Sequence, residues 1–177
     1  MGILKSQIQS LALIALGSNL GDSRELVLRA MERLQSFSDL PLLRSSLWET
    51  APIDCPPSSP RFVNAVVGLK PRTDETPQSL LVRLHKLEQD FGRRAKEVLN
   101  EPRPLDLDLI SFGGLTLNTE QLKLPHPRAH QRRFVLAPLN EIAPELILPL
   151  QTKTIRQLLA ESDDPGSVLR ISWDPAG

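Results

Sequence analysis

One cysteine, no excess of either charge, no long apolar run and no internal repeat each remove a class of protein from consideration. Cys55 alone can form neither an internal disulfide nor a multi-cysteine zinc site, which points to a reducing, cytoplasmic setting. Twenty-one Lys and Arg stand against 21 Asp and Glu, so bulk electrostatic attraction to nucleic acid or to an anionic membrane is not expected. Leu11 to Leu16 is far too short to cross a bilayer, and as a signal-peptide core it is interrupted upstream by Gln9 and Ser10. Met1-Gly2 to Ser6 fits a loose myristoylation pattern, but one acyl chain anchors only marginally.

The familiar catalytic and phosphate-binding signatures are missing too. Gly17-Ser18-Asn19-Leu20-Gly21 lies between a strand and a helix, yet it has neither the GK[ST] of a P-loop nor GxGxxG, and its glycines read as a plain tight turn. There is no serine-nucleophile motif, and His85, His126 and His130 have no zinc spacing. What is present is 40% hydrophobic residues in 177, enough for one soluble domain with a core over about 10–150 and an extension over 151–177. A monomer is expected.

Periodicity divides the chain into elements. Leu11 to Leu16 reads as a buried strand, and a helix follows with Asp22 or Ser23 as cap and Leu26, Val27, Ala30, Met31, Leu34 and Phe37 at helical spacing. Leu43 to Thr50 and Phe62 to Leu69 read as strands, separated by a proline-rich loop. Thr76-Pro77 opens a second helix that runs to Phe91 and stops at Gly92. The stretch 93–104 reads as a mobile loop, and Leu105 to Phe112 as a fourth strand that turns at Gly113-Gly114 into a return arm, Leu115 to Leu117. Helices are expected over about 131–142, disturbed by Pro138, and over about 154–161, with a last strand from Val168 to Trp173. The order strand, helix, strand, strand, helix, strand predicts an α+β, ferredoxin-like split βαβ fold: an antiparallel sheet covered on one face by two helices, with long catalytic loops.

Pro102-Arg103-Pro104-Leu105-Asp106-Leu107-Asp108-Leu109-Ile110 carries the most chemistry, because strict alternation puts three leucines on one sheet face and both aspartates on the other. Their Cα atoms are then roughly 6.5–7 Å apart, a span that can serve one hard cation or bracket two. A solvated polar strand face is the alternative, although Asp is a poor strand former. Arg93, Arg94, Lys96 and Arg103 precede the pair, and Lys123, Arg128, Arg132 and Arg133 follow with no acid between 123 and 133. Such cations suit phosphate oxygens and the charge that develops in phosphoryl transfer; as isolated clusters they also suit solvated loops.

Together Ala15 to Asp22, Phe62-Val63-Asn64, Pro102 to Asp108, Leu124-Pro125-His126-Pro127-Arg128 and Phe134 to Leu139 resemble the 6-hydroxymethyl-7,8-dihydropterin pyrophosphokinase family. The resemblance implies a ferredoxin-like folate-pathway enzyme that moves pyrophosphate from ATP to a reduced pterin and releases AMP. It implies that Asp106 and Asp108 hold two Mg2+ ions, with Glu88, Arg93, Arg103, His126 and Arg132 at ATP. It also implies that Asn64 reads the pterin edge between Phe62 and Phe134, beside Thr50 and Ile53. These roles make physical sense: a flat heterocycle with a fixed donor and acceptor pattern needs aromatic plates and an amide, and Asn64 in an apolar run needs partners. Ala95, Asn100 and Glu101 depart from the family pattern in the catalytic loop, which bears on loop closure. Two rivals remain: a ferredoxin-like binding module without chemistry, and a transferase of phosphoryl or nucleotidyl groups.

Overall fold

The computed structural model describes residues 5–52, 54–94 and 101–171. After a short α1 (Lys5–Ile8), β1 (Ala12–Ser18) leads into α2 (Ser23–Gln35), where the Asp22 carboxylate accepts from the Glu25 N–H at 3.1 Å and caps the helix. Val27, Ala30, Met31 and Leu34 form the buried stripe of α2. The expected second strand is split into β2 (Leu43–Arg44) and β3 (Leu47–Thr50). At the break the Ser45 hydroxyl, rather than a backbone carbonyl, accepts from the Val66 N–H at 2.9 Å. β4 (Phe62–Leu69) and α3 (Pro77–Asp90) follow, α3 opening with a Thr76/Ser79 capping box and Pro77 and closing beside Gly92 at φ +90°.

β5 (Asp106–Phe112) completes an antiparallel four-strand unit ordered β5, β1, β4, β3, the arrangement of ferredoxin-like folds. The return arm differs from expectation. β6 (Leu117–Asn118) pairs with β7 (Lys123–Leu124) in a separate ribbon instead of folding back on β5, whose Ile110 carbonyl accepts from the His126 N–H of the following loop at 2.7 Å. A bulge also shifts the β1–β5 register between Leu13 and Ile14, which leaves Ile110 as the extra residue and ends the regular alternation.

The largest difference is that the sheet is covered on both faces. One core packs Ile14, Leu16, Ala65, Leu107 and Leu109 against α2 and α3. The other packs Leu13, Ala15, Val66 and Ile110 against α4 (Arg133–Ile142) and α5 (Ile155–Ala160). This explains why β1 is buried along its whole length rather than at alternate positions. A short 3-10 turn (Ala129–Gln131) precedes α4. Pro138 sits buried inside α4 without ending it, because a helix that begins at 133 loses only the bond to Phe134. β8 (Val168–Ile171) adds a fifth strand beside β3; Ser172 and Trp173 lie outside the described residues.

Candidate active site

The site lies on the part of the second sheet face that α4 and α5 leave uncovered. Strand register builds it in rows: Gly17 faces Asp106 on one side and Asn64 on the other, and Ala15 faces Asp108 and Val66. Thr50 faces Phe62, and Asn64 faces Trp48. Residues opposite one another in a ladder share a face, so both aspartates, Asn64 and Thr50 point the same way. They line one cavity of about 340 Å³, together with Phe62, Arg103, Arg128, Arg132 and Phe134.

At one end of the cavity Asn64 is only 4% exposed and donates from Nδ2 to the Thr50 hydroxyl at 2.7 Å. That bond fixes the amide plane. Phe62 and Phe134 each carry a guanidinium, Arg103 at 5.9 Å and Arg132 at 5.4 Å from the ring centroids, so each aromatic plate adjoins a cation.

At the other end Asp106, Asp108, Arg103 and Arg132 line the cavity, and Glu88 and Arg93, outside that lining, extend them into a chain of opposite charges. Arg93 Nη1 bridges Glu88 and Asp106, at 2.6 Å from Asp106 Oδ1, and Arg103 Nε lies 3.4 Å from Asp106 Oδ2. Glu88 is 4% exposed and accepts from the Leu107 N–H at 2.7 Å; burial pushes its carboxyl up to about 7 against the pull of that N–H and of Arg93. Burial, then the charge of Asp106, pushes the Asp108 carboxyl up to about 6, opposed by Arg132, Arg103 and Arg93. Burial alone would loosen the proton of Arg93, but Asp106 and Glu88 outweigh it and push its pKa up. Arg132 is pushed down by burial and by Arg128. Arg103 Nε is buried and makes no hydrogen bond, its ion pair with Asp106 at 3.4 Å being its polar contact.

His126 stands apart from the cavity lining. Its Nδ1 accepts from the Arg128 N–H at 3.2 Å, which places the neutral ring's proton on Nε2, and burial followed by Arg132 and Arg128 pushes its pKa down. Ile53, Ala95, Lys96 and Asn100 lie outside the described residues, as does the whole middle of the expected 93–104 loop, 95–100.

Of the two glycines expected to form a tight turn between β1 and α2, the structure bears out one and corrects the other. Gly21, at φ +78°, does make a turn. Gly17 instead lies within β1, where a Cβ would meet Asn64 Oδ1 at 2.9 Å and Phe62 at 3.8 Å. Its missing side chain keeps the cavity floor open. Asn19, 1% exposed, accepts from the Arg103 N–H at 3.0 Å and donates its own N–H to the Arg103 carbonyl at 3.2 Å. It also donates from Nδ2 to the Pro60 carbonyl at 3.4 Å, so it ties the foot of the arginine loop to the loop before β4. A glycine that ends an apolar strand is the one sequence signal that could have flagged Gly17.

Comparison with known proteins identifies the family and the fold. A family model described as 7,8-dihydro-6-hydroxymethylpterin-pyrophosphokinase matches residues 13–144. Curated relatives named 2-amino-4-hydroxy-6-hydroxymethyldihydropteridine pyrophosphokinase include one from Synechocystis sp., 38% identical over 152 residues, covering 86% of this chain and 76% of the relative. Another, from Haemophilus influenzae, is 36% identical over 154 residues, covering 86% and 93%. A solved Plasmodium falciparum HPPK-DHPS structure superposes with a TM-score of 0.66 at 17% identity and supports the fold alone. It is matched over 85% of this chain but 43% of its own length, so this chain spans less than half of it. The match over most of the chain, with relatives above one-third identity, means that the chain belongs to the 7,8-dihydro-6-hydroxymethylpterin-pyrophosphokinase family, diphosphotransferases of folate biosynthesis.

Proposed function

We propose that the cavity binds the reduced pterin at its Asn64 end and the ATP polyphosphate at its arginine end, with the reacting atoms meeting above Asp106 and Asp108. The observation that carries this assignment is the shared row: Asn64, Gly17 and Asp106 are successive neighbours across three strands and open into one cavity. In the reaction the pterin hydroxymethyl oxygen attacks the β-phosphorus, the bond from that phosphorus to the α,β-bridging oxygen breaks, and AMP leaves as the hydroxyl proton is lost. The products are AMP and the pterin diphosphate.

Magnesium is the metal that these residues fit. Among the described residues no three Asp, Glu, His or Cys side chains converge, which suits an ion that takes one or two carboxylates and completes its shell with phosphate oxygens and water. The two crowded carboxylates favour a cation between them: the charge of Asp106 adds to burial in pushing the Asp108 carboxyl up, and Arg93 already lies against Asp106. Asp106 and Asp108 would hold two Mg2+ ions, which supply charge neutralisation on the phosphates and acidify the attacking hydroxyl.

The remaining work falls to the chain itself. Asn64, held by Thr50, orients the pterin edge; Phe62 and Phe134 take its faces. Arg93, Arg103 and Arg132 meet the charge spread over the phosphoryl oxygens, and Asn19 keeps Arg103 in place. Glu88 anchors Arg93 from behind, and His126, just outside the cavity lining with Nδ1 taken by the Arg128 N–H, keeps its Nε2–H for the phosphate side. We read the enzyme as a cytoplasmic monomer without nucleic-acid or membrane partners; the even charge balance and single cysteine support this, and no described helix is long and apolar enough to cross a membrane.

The assignment of the two ends is tested by separate binding measurements with the reduced pterin and with a non-hydrolysable ATP analogue plus Mg2+. Asn64→Ala should weaken pterin binding by about tenfold or more and leave the nucleotide within about twofold, with Arg132→Ala doing the reverse. Equal losses of both ligands in either variant contradict it.

A further inference from the structure

The extension after residue 150 is built into the cavity. Asp164, Pro165, Gly166 and Val168 line it together with Asn64, Arg132 and Phe134. The segment is held at both ends. Upstream, α5 belongs to the second core together with α4. Downstream, β8 pairs with β3 so that Val168 faces Thr50, the residue that holds the Asn64 amide.

Asp164 makes the decisive contact between them. Its Oδ2 accepts from the Arg133 N–H at 2.9 Å, and its Oδ1 accepts from the Gly166 N–H at 2.8 Å. Arg133 is the first residue of α4, and Arg132, in the capping position, offers no side-chain cap. A helix start leaves free N–H groups and a partial positive charge, so a carboxylate from elsewhere in the chain both pairs a donor and suits the helix dipole. The residues flanking that N–H are Arg132 and Phe134, which carry a phosphate contact and a pterin plate in the function proposed above.

We propose that Asp164, Pro165, Gly166 and Val168 form the outer wall of the pterin end and that Asp164 is a positioning residue that sets the start of α4, and through it Phe134 and Arg132, for the known reaction. This rests on the pterin assignment made above, and it concerns residues beyond the 13–144 span of the family model. A wall of this kind makes the extension a contributor to substrate affinity rather than a tail.

The test uses the full-length enzyme with Asp164→Ala, Asp164→Asn, Val168→Ala and, as an exposed neighbour, Asp163→Ala. Pterin affinity, pterin KM, kcat and ligand-free Tm are measured for each. Asp164→Ala should weaken pterin binding about tenfold, with kcat less affected than KM. Asp164→Asn keeps an oxygen for the Arg133 N–H and should recover to within about threefold of wild type. Val168→Ala should weaken pterin several-fold without touching the cap, and Asp163→Ala should change nothing.

The proposal is overturned if Asp164→Ala lowers Tm but leaves pterin affinity of the folded protein within about twofold, since that is a stability role alone. It is also overturned if Asp164→Asn binds no better than Asp164→Ala. Should Asp164→Ala not fold, unchanged pterin affinity in Val168→Ala overturns the wall. Wild-type protein that binds no pterin contradicts the assignment of the cavity itself, which separates that failure from this one.

Discussion

Asp108→Asn is expected to lower kcat by at least about 10³-fold while making the ligand-free protein more stable at pH 8. Burial, with the charge of Asp106 added, pushes the Asp108 carboxyl up from 3.8 to about 6. The native state therefore holds this proton more tightly than the unfolded chain does. Stability from this group is fully present below about pH 4 and is lost as pH rises towards about 6, on the order of 1–3 kcal/mol. Asparagine mimics the protonated side chain, so its advantage should appear at pH 8 and vanish near pH 4. Glu88, pushed up to about 7, contributes with the same sign over a slightly higher window.

Asp106→Asn should be equally inactive for the opposite structural reason. Asp106 accepts from Arg93 at 2.6 Å and lies 3.4 Å from Arg103, so its loss leaves two half-buried guanidiniums short of a counter-charge and lowers Tm. Thermal unfolding of both variants at pH 4 and pH 8, beside their rates, checks the pair. An Asp108→Asn protein that is active, or less stable than wild type at pH 8, contradicts the view of this carboxylate as a metal seat that the ligand-free fold pays to keep.

Gly17→Ala should weaken pterin binding by about ten- to a hundredfold, equivalent to the 1–3 kcal/mol of a forced side-chain shift, and leave nucleotide binding within about twofold. The new Cβ would sit 2.9 Å from Asn64 Oδ1, nearer than a carbon can rest. Asn64 cannot swing away freely, because Thr50 holds its Nδ2. The backbone of β1 is extended and accepts alanine, so the fold should survive with its strand pairing intact. Titration with the reduced pterin checks this; unchanged affinity means that the cavity floor is not where the pterin edge rests.

What could be read from the residues was local. The alternation of Leu105 to Leu109 placed both aspartates on one face because a strand has a period of two, and Asn64 stood out because an amide inside an apolar run needs partners. Caps did the same for the helices, with Asp22 and Thr76 where capping residues were expected. What could not be read depends on pairs far apart in the chain. Gly17 has a role only because β1 lies between β5 and β4, a strand order that no local pattern encodes. Asn19 finds Arg103 across 84 positions, and Asp164 finds Arg133 across 31. The second covered face was missed for the same reason: an apolar helix pattern over about 131–142 says that a face is buried, not which side of the sheet buries it.

The most direct test is incubation of the folded protein with ATP, Mg2+ and 6-hydroxymethyl-7,8-dihydropterin, followed by separation of the nucleotides. Pyrophosphoryl transfer predicts AMP that forms only when pterin is present and in equal amount to the pterin diphosphate. Pterin-dependent ADP, release of free pyrophosphate, or no pterin-dependent nucleotide product at all contradicts the account.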